Sequence, residues 1–537
     1  MNGRYEQNFN KLRGGFYTPS EIASYLAEWV LDAKPESILE PSAGDGAFIA
    51  ALTRQHSNFD IDAVELIEGE ADKISKKFSK FKNLKVFNAD FFDFYTTNEK
   101  KYDAIIGNPP YIRYQFLTDK QRNLQSKILI QNGLKSNKLI NAWVAFTVAG
   151  LNMLKSGGRM AFVIPTDFLQ VSYAHDLRRY LLTQFSELTI VTFEHLIFKD
   201  IQQDVVLLFG IKNGNAADSS EIANIRVITV QDKKKLKKFD NVHFISNKNK
   251  LMSDKWTELL LPEQDRNYLF NIMNQHYVTA FSSLAKGEVG VTTGNNSFFS
   301  LNRFTIAKYD LQEYVKPLLG RSINADGVLF SECDLNISDN EGKNNWLLSL
   351  TDHKYEDFND GLKNYLKQGV QDGQNVGYKL SIRDEWYKIP SVWEPDAFML
   401  RRIGRFPKLL FNGAKAVSTD TFHRIVFFEG VNKSALLFSF YSSLTLTSIE
   451  LAGRNFGGGA LELLPGDLTK VYIPKTSNPE IIFDKLVDEL NKKLRNGVED
   501  EHIVQWVDQE LIKHGSTIDF DRTQKMWKFL RNRRINR

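Results

Sequence analysis

The sequence predicts an α/β fold in which an open, mostly parallel sheet carries an antiparallel hairpin at one edge. Short apolar strands alternate with amphipathic helices through residues 18–165. A strand ending at Glu40 runs into a glycine-bearing turn and then a helix, which is the usual order at a ligand-binding edge. The strands at 188–193 and 204–210 leave no room for a helix between them, so they are expected to pair antiparallel.

Hydrophobic spacing places the individual elements of this first half. Apolar residues recur at the helical period from Ile22 to Val30, and Thr18 or Ser20 is expected to cap that helix. The other predicted elements are strands at 37–39, 61–64, 84–89, 102–106, 159–165, 188–193 and 204–210, a helix reaching residue 52, and a helix over 138–154.

The chain length predicts more than one domain, because 537 residues exceed an ordinary single core. We expect domains at 1–245 and 246–475 and a helical, basic segment at 476–537. The only cysteine is Cys333, which excludes intrachain disulfides and cysteine-rich zinc sites, and no metal is expected. No apolar run approaches the length of a membrane span, and the first sixteen residues are too polar for a signal peptide, so a cytoplasmic location is expected.

The stretch 102–111 combines a buried strand with a turn that cannot continue it. Pro109 and Pro110 lack backbone donors, so the carbonyl groups of Asn108 and Pro109 remain as acceptors that no strand ladder can use. With the Asn108 side-chain oxygen and the Tyr111 ring, they form a receptor for a flat group that carries an exocyclic amino group, as adenine does. The alternative interpretation is a tight turn with a packing tyrosine.

Acidic residues follow several of the predicted strands. Glu40 and Asp45 lie in the glycine loop, Glu65 ends the next strand, and Asp90 ends the one after it. Because the carboxyl ends of parallel strands meet at one edge, these carboxylates converge there. They would repel a pyrophosphate, but they suit a cation with an amino-acid head, a ribose and an adenine. S-adenosyl-L-methionine has these parts.

With these motifs, the first 210 or so residues resemble the amino-terminal domain of the N6-adenine-specific DNA methyltransferases. The resemblance rests on Asn108 to Tyr111, which match the family tetrapeptide, and on the glycine loop before it. It implies a Rossmann-like class I methyltransferase sheet followed by a mixed α/β domain that recognises the DNA target. It also implies a Tyr111 ring that stacks on the target base, and Phe198 matches the position of a second stacking aromatic. An ordinary apolar loop anchor is the alternative for Phe198.

The same resemblance assigns the cofactor site. Thr18 lies in the motif that closes over the methionine moiety, Glu65 would hold the ribose, and Asp90 with Phe91 would hold the adenine of the cofactor. The full set of implied cofactor contacts is Tyr17, Thr18, Glu40, Ser42, Gly44, Glu65, Asp90, Phe91, Asn108 and Pro110.

DNA contacts are expected from both halves of the chain. Residues 112–137 read as a long polar loop beside the catalytic turn, where Arg113 or Lys120 would touch phosphate. Lysines at 233–238 and the basic stretch 522–537 would also attract phosphates, although solvated segments explain them equally well. Glycine-containing segments of the second half resemble target-recognition segments of the same methyltransferases and supply further candidates, although each could be plain turn chemistry: Asn295, Asn296, Arg401, Arg402, Arg405 and Arg454.

These features predict a site-specific DNA adenine methyltransferase that uses S-adenosylmethionine, acts on double-stranded DNA as a monomer, and serves as the modification enzyme of a restriction-modification or related defence system. A cognate restriction endonuclease is the further partner expected. The open alternatives are methylation of RNA adenine or of a protein glutamine, and a non-catalytic DNA-binding component of a defence complex.

Overall fold

In a computed structural model of the chain, the residues described are 18–54, 58–193, 204–214, 222–230, 236, 255–321, 326–456, 459–475 and 480–535. Tertiary contacts divide the chain into two compact units, residues 1–263 and 264–536. The border predicted after residue 245 lies outside the described residues, and the carboxyl-terminal helices group with the second unit. The three-domain division of function stays a prediction.

The first unit alternates strands with helices in the order that the sequence predicts. Its elements are α1 (Ser20–Leu31), β1 (Ser37–Glu40), α2 (Ala47–Thr53), β2 (Asp60–Glu65), α3 (Glu68–Lys77), β3 (Leu84–Asn88), α4 (Phe91–Thr97), β4 (Tyr102–Gly107), α5 (Asp119–Gln131), α6 (Ala142–Met153), β5 (Leu154–Pro165), α7 (Asp167–Gln170), α8 (His175–Gln184), β6 (Phe185–Phe193), β7 (Val205–Lys212) and β8 (Asn224–Val230).

These strands form one eight-stranded sheet in the order β3-β2-β1-β4-β5-β7-β6-β8. The strands from β3 to β5 run parallel, and β7 runs antiparallel to both β5 and β6. This is the class I methyltransferase sheet, so the predicted α/β fold with its antiparallel hairpin is confirmed. The hairpin is not outermost, because β8 pairs parallel with β6 and forms the edge instead.

One face of this sheet is buried by α1. Ile22 and Leu26 of that helix pack with Ile38 of β1 and Val163 of β5, and all four side chains are fully buried. Burying each such side chain contributes about 1.5–3 kcal/mol. Every residue of β1 is buried, as expected of a central parallel strand covered on both faces. The buried strands hold the carboxyl edge of the sheet in place.

Two local predictions in this unit are wrong. The residue that precedes α1 is Pro19, and no side chain caps the helix. Residues 112–137 are not an irregular loop, because α5 occupies half of the segment. The Thr118 hydroxyl accepts from the Gln121 backbone and the Gln121 side chain accepts from the Thr118 backbone, so the helix begins with a reciprocal capping box that sequence reasoning overlooked.

The second unit is mixed α/β, and its described residues form four smaller sheets, with orders β10-β19-β15-β17-β13, β11-β14-β12-β18, β16-β21-β20 and β22-β9. Its strands are β9 (Val278–Ala280), β10 (Ala285–Val289), β11 (Ser300–Leu301), β12 (Val315–Leu319), β13 (Leu329–Phe330), β14 (Trp346–Leu348), β15 (Ala397–Leu400), β16 (Arg402–Ile403), β17 (Leu409–Asn412), β18 (Val417–Ser418), β19 (Phe422–Phe427), β20 (Arg454–Phe456), β21 (Ala460–Glu462) and β22 (Tyr472–Pro474).

Its helices are α9 (Glu263–Met273), α10 (Asn296–Phe299), α11 (Arg303–Tyr309), α12 (Glu332–Asn340), α13 (Asp360–Gln371), α14 (Tyr378–Ser381), α15 (Lys433–Phe440), α16 (Ser443–Ala452), α17 (Glu480–Arg495), α18 (Asp500–Lys513) and α19 (Phe520–Ile535). Among the described helices, none is by itself long and apolar enough to cross a membrane, although α15 and α16, bent by 72° at their junction, meet the length and composition test as a pair.

Candidate active site

The turn formed by residues 108–111, which is predicted to be catalytic and is called the catalytic turn below, begins where β4 ends. Gly107 is the last residue of the strand, and a Cβ atom there would lie 3.3 Å from the Pro41 ring, so the turn lies against the glycine loop that follows β1. The Ser42 hydroxyl, from that loop, donates to the Asn108 backbone carbonyl over 3.2 Å. A side chain of the neighbouring loop thus pairs with the carbonyl that was predicted to serve as an acceptor.

The Asn108 side chain is oriented by two contacts. Its amide nitrogen donates to the Thr18 hydroxyl over 3.3 Å, and its amide oxygen accepts from the Tyr111 hydroxyl over 2.9 Å. Both neighbours are hydroxyl groups, so the two contacts hold the plane of the amide in place from either side. Thr18, predicted to cap a helix or to lie near the methionine moiety, is thus a buried neighbour of Asn108, the asparagine predicted to be catalytic.

Tyr111 is partly buried and packs against the core cluster beneath α1. Its hydroxyl also lies 3.1 Å from the Val163 carbonyl. Burial, together with the negative charge of Asp167, raises the pKa of Tyr111 well above its usual value. The phenol therefore stays neutral and acts as a donor at physiological pH.

The loop after β1 turns on two glycines with positive φ angles, Gly44 at 55° and Gly46 at 77°. Such angles favour glycine, because a side chain would clash with the backbone. At Gly46 a Cβ atom would also come within 2.9 Å of the Phe78 ring, whereas at Gly44 it would meet open space. The loop can therefore receive a ligand close to its backbone at Gly44.

Glu65 ties this loop to the end of β2. One carboxylate oxygen accepts from the Gly44 backbone over 2.7 Å, and the other accepts from the Ile67 backbone over 2.9 Å. Burial raises the pKa of Glu65, and those two backbone hydrogen bonds oppose the rise. The carboxylate is therefore held rigidly at the edge of the sheet, where its remaining lone pairs can accept from hydroxyl groups.

Glu40 is the least satisfied group of the site. It is fully buried, and neither of its carboxylate oxygens has a hydrogen-bond partner among the described residues. Burial, followed by the charges of Asp45 and Glu65, raises the pKa of Glu40 well above its usual value. A buried, unpaired carboxylate is costly unless a cation compensates it, so this residue suits an ammonium or sulfonium group.

Asp90 and Phe91 form the first turn of α4, and both are engaged within the protein. One Asp90 oxygen accepts from the Phe92 backbone over 2.8 Å and the other accepts from the Gln121 side chain over 2.7 Å. Phe91 is buried, and its ring lies 4.8 Å from that of Phe146. Contact of either side chain with a nucleobase stays a prediction.

Sequence reasoning missed the two residues after Glu65. Leu66 and Ile67 are 56% and 41% exposed, although both are apolar. They directly follow an acid at the carboxyl end of a buried strand, and this pattern was the signal available in the sequence. They offer an apolar surface for a flat ring beside the proposed ribose-binding carboxylate.

The remaining expected phosphate contacts and implied ligand contacts of the first half of the chain have different outcomes. Arg113 is exposed beside the catalytic turn, whereas the Lys120 ammonium pairs with Asp93 over 2.7 Å. Tyr17, Phe198 and most of the lysine cluster at 233–238 lie outside the described residues, so those assignments stay predictions.

The arginines proposed to contact DNA in the second unit are largely ion-paired. Arg401 lies 3.0 Å from Glu462, Arg402 lies 3.5 Å from the same carboxylate, and Arg405 lies 3.0 Å from Asp500. Such pairs reduce the charge available to a phosphate. The Arg454 side chain is partly buried in β20, and no partner is recorded for its Nε among the described residues.

The two asparagines proposed to read bases are structural in part. Asn295 caps α10 by accepting from the Phe298 backbone, and its amide nitrogen donates to the Gln374 side chain over 2.7 Å. The Asn296 side-chain oxygen accepts from the Thr293 hydroxyl. Asn295 is therefore committed to the local turn, while Asn296 keeps its amide N–H groups.

Part of the basic carboxyl-terminal stretch is buried within the second unit, although Lys525 is exposed. Arg531, Arg533 and Arg534 are at most 5% exposed. Arg534 forms a two-pronged pair with Glu450, with contacts of 2.6 and 2.9 Å, and Arg531 pairs with Glu501. Arg531 and Arg534 join α19 to the rest of the second unit, because acids remote in sequence compensate their charge.

No metal-binding group emerges in the described ranges, where no three His, Cys, Asp or Glu residues converge. Cys333 lies exposed in the first turn of α12 and forms no disulfide.

Comparison with known proteins assigns the family. Residues 32–198 match the family described as Eco57I restriction-modification methylase, and residues 253–512 match the C-terminal domain of the type II methyltransferase M.Eco57I. Type II methyltransferase M.AccI of Acinetobacter calcoaceticus is 25% identical over 484 residues, which cover 85% of this chain and 84% of that protein. M.HincII of Haemophilus influenzae is 28% identical over 60% of this chain, which spans only 56% of that relative.

Two solved structures resemble the chain at lower sequence identity than these relatives do. The type IIG restriction endonuclease BpuSI shares 14% identity at a TM-score of 0.43, covering 98% of this chain and 66% of that one. A nuclease-deletion mutant of the Type ISP restriction-modification enzyme LlaGI shares 13% identity at a TM-score of 0.46, covering 89% and 47%. The glycine loop and the unpaired, buried Glu40 fit S-adenosylmethionine, which is the cofactor of this fold and family. From its two family matches and its sheet order, the chain belongs to the Eco57I restriction-modification methylase family.

Proposed function

We propose that this chain, a DNA methyltransferase by family, transfers a methyl group from S-adenosylmethionine to N6 of an adenine in duplex DNA. The observation that carries the proposal is the oriented Asn108 amide, placed after β4 and next to the glycine loop. An asparagine oxygen and a proline carbonyl held side by side suit the two hydrogens of an exocyclic amino group.

The chemistry follows from those acceptors. The lone pair of N6 is delocalised into the adenine ring, so the nitrogen must become more tetrahedral before it can attack. The Asn108 side-chain oxygen and the Pro109 carbonyl accept the two amino hydrogens and favour that geometry. The cofactor supplies an electrophilic methyl group on a sulfonium centre. Direct transfer would join N6 to the methyl group as the methyl–sulfur bond breaks, and N6 would lose one proton to water, so no protein nucleophile or thiol is needed.

Reaching N6 requires the adenine to leave the helix. Extruding a base costs a few kcal/mol, and stacking on aromatic rings at about 1–3 kcal/mol per base offsets that cost. We assign this stacking to Tyr111 and Phe198. Tyr111 lies beside Asn108, because its hydroxyl donates to the Asn108 side-chain oxygen.

The cofactor contacts are assigned from the same edge of the sheet. Glu40 would compensate a positive charge, Glu65 would accept from the ribose hydroxyls, and the Gly44 backbone leaves the loop open to close approach. Leu66 would face the adenine ring of the cofactor, because it is exposed next to Glu65.

The direct test treats unmethylated genomic DNA, an RNA transcript and a glutamine-containing release factor with the full chain and labelled cofactor. Long-read sequencing then locates modified bases. We expect N6-methyladenine in one DNA motif and no label in RNA or protein. Asn108→Ala should slow single-turnover methylation by roughly two to three orders of magnitude. The control Asn58→Ala changes an exposed asparagine and should leave the rate unchanged.

Modified cytosine, label in RNA or protein alone, or equal rates for Asn108→Ala and the wild type would each contradict the proposal.

We further propose that the second unit selects the DNA site, that one copy acts on each site, and that a separate endonuclease cuts the unmethylated motif. Mass photometry of the complex with a DNA duplex tests the stoichiometry, and two copies per duplex would contradict it.

A further inference from the structure

The second unit contains a cleft of about 490 Å³, called the polar cleft below because most of its lining residues carry polar or charged side chains. It lies where β12 and β18 end, and its lining includes Asn296, Ser297, Arg321, Lys343, Asn344 and Thr419. Its side chains combine amides, hydroxyls and two cations, and no carboxylate lines it. The cleft therefore offers hydrogen-bonding groups and positive charge to a ligand that enters it.

The walls of the polar cleft are fixed by backbone pairing. β12 and β18 pair in parallel, with Leu319 opposite Ser418. Just beyond them, the Thr419 hydroxyl donates to the Gly320 carbonyl over 3.1 Å. Backbone pairing of β12 and β18 therefore fixes the positions of Gly320 and Thr419 in the cleft wall. A rigid wall of this kind is what base recognition requires.

Arg321 is the cation in this cleft that remains available. It is exposed, and within the described ranges no ion pair involves it, in contrast to Arg401, Arg405 and Arg534. Lys343 is paired with Glu341 over 2.5 Å. A guanidinium group without a carboxylate partner keeps its full capacity for two parallel hydrogen bonds.

The amides add the second kind of contact. The oxygen of Asn296 is taken by the Thr293 hydroxyl, so its N–H groups are the part left for a ligand. Asn344 is exposed on the opposite turn. Arginine pairs with the guanine edge in the major groove, and asparagine pairs with the adenine edge, so this set of residue types suits base edges.

We propose that the polar cleft reads base edges of duplex DNA and that Arg321 is its specificity-determining residue. This inference rests on the proposed function, because it supplies the site selection that the methyl transfer at Asn108 requires. The ligand is a segment of double helix whose base edges carry paired acceptors, as guanine does. Phosphate contact alone would position DNA but would select no sequence.

The test compares the full-length wild type with Arg321→Ala, Asn344→Ala and Lys308→Ala on the same unmethylated genomic DNA. Lys308 is exposed on α11 outside the cleft, so its variant removes one positive charge without altering the lining. Long-read sequencing reports the methylated motif, and rates are measured on duplexes that carry it. Thermal unfolding checks that each variant folds.

Arg321→Ala is expected to relax one position of the motif and to lower methylation of the original motif by about 10- to 100-fold. Asn344→Ala should relax a different position, and Lys308→Ala should leave the motif unchanged. An unchanged motif with Arg321→Ala, with or without a uniform loss of rate, overturns the inference and leaves the proposed function standing. If the wild type modifies no adenine, the proposed function fails and the inference fails with it.

Discussion

The Tyr111 hydroxyl donates a hydrogen bond to the side-chain oxygen of Asn108 over 2.9 Å. That oxygen is the proposed acceptor for one hydrogen of the target amino group, so the contact orients the amide while no base is present. The Val163 carbonyl, 3.1 Å from the same hydroxyl, can take over as its acceptor when adenine arrives. Under the proposed function, Tyr111 thus links the surface assigned to the target base to the Asn108 amide.

Replacing Tyr111 separates these two roles. Tyr111→Phe keeps the ring and loses the hydroxyl, so single-turnover methylation of a matched duplex should fall by no more than roughly fivefold, the worth of one hydrogen bond. Tyr111→Ala removes the stacking surface and should be slower, with partial rescue when the target adenine is mispaired, since a loosened base costs less to extrude. An equal response to mispairing in Tyr111→Ala and the wild type would contradict the stacking role.

Removing Glu65 should affect both cofactor and loop. Glu65→Ala is expected to weaken S-adenosylmethionine binding by about 1.5–3 kcal/mol, as for hydrogen bonds to a charged group. It should also lower the melting temperature, because the Gly44 and Ile67 N–H groups lose their acceptor. Isothermal titration calorimetry and thermal unfolding measure the two effects. Glu68→Ala, which changes an exposed acid in α3, is the control. An unchanged dissociation constant would remove Glu65 from the site.

The raised pKa of Glu40 predicts a pH dependence. Between its usual value near 4.5 and its raised value, the folded protein binds a proton that the unfolded chain has released. The contribution of this carboxyl to the free energy of unfolding therefore falls as pH rises through that range. Glu40→Gln should flatten the dependence when denaturation is followed at several pH values without cofactor.

The same carboxyl should couple cofactor binding to proton release. A cation stabilises ionised Glu40, so binding of S-adenosylmethionine should release a proton at pH values below the raised pKa. Calorimetry in two buffers with different ionisation enthalpies measures the release. The prediction fails if wild type and Glu40→Gln release the same number of protons.

Trp256 should mark the end of the first unit. It is 1% exposed, its backbone N–H donates to the Leu169 carbonyl over 2.8 Å, and its ring lies 5.4 Å from that of Phe168. Trp256→Ala should lower the free energy of unfolding by about 3–5 kcal/mol. A fragment of residues 1–263 should therefore resist urea better than one of residues 1–247, and equal midpoints for the two would argue against this boundary.

Arg534 should act on stability and not on DNA affinity. Arg534→Ala leaves the buried Glu450 carboxylate without its partner and should cost about 3–5 kcal/mol. Lys525→Ala, on the exposed face of the same helix, should cost little. Urea denaturation gives the stability, and fluorescence anisotropy with a DNA duplex gives the affinity. A weaker, more salt-tolerant complex with unchanged stability would instead restore the DNA-facing interpretation.

Local patterns were sufficient for the first unit because each strand there is a short apolar run and the turns between strands use residues with strong backbone preferences. Two successive prolines, Pro109 and Pro110, remove two backbone donors directly after β4, and the glycine loop needs the positive φ angles of Gly44 and Gly46. The eighth strand escaped prediction because only Ile225 is fully buried among its mostly half-exposed residues, so its pattern is weak.

The sequence by itself determined the parallel sheet, the acids at its carboxyl edge and the acceptors after β4, because strand period, proline and glycine act over a few residues. Only the tertiary structure decided which charges remain available. Arg534 and Glu450 lie 84 residues apart in the chain, yet they are buried against each other, whereas Arg321 stays exposed at the polar cleft. Amino-acid composition does not distinguish Arg534 from Arg321. Their roles differ because ion pairing and desolvation depend on the neighbours that the folded chain brings together.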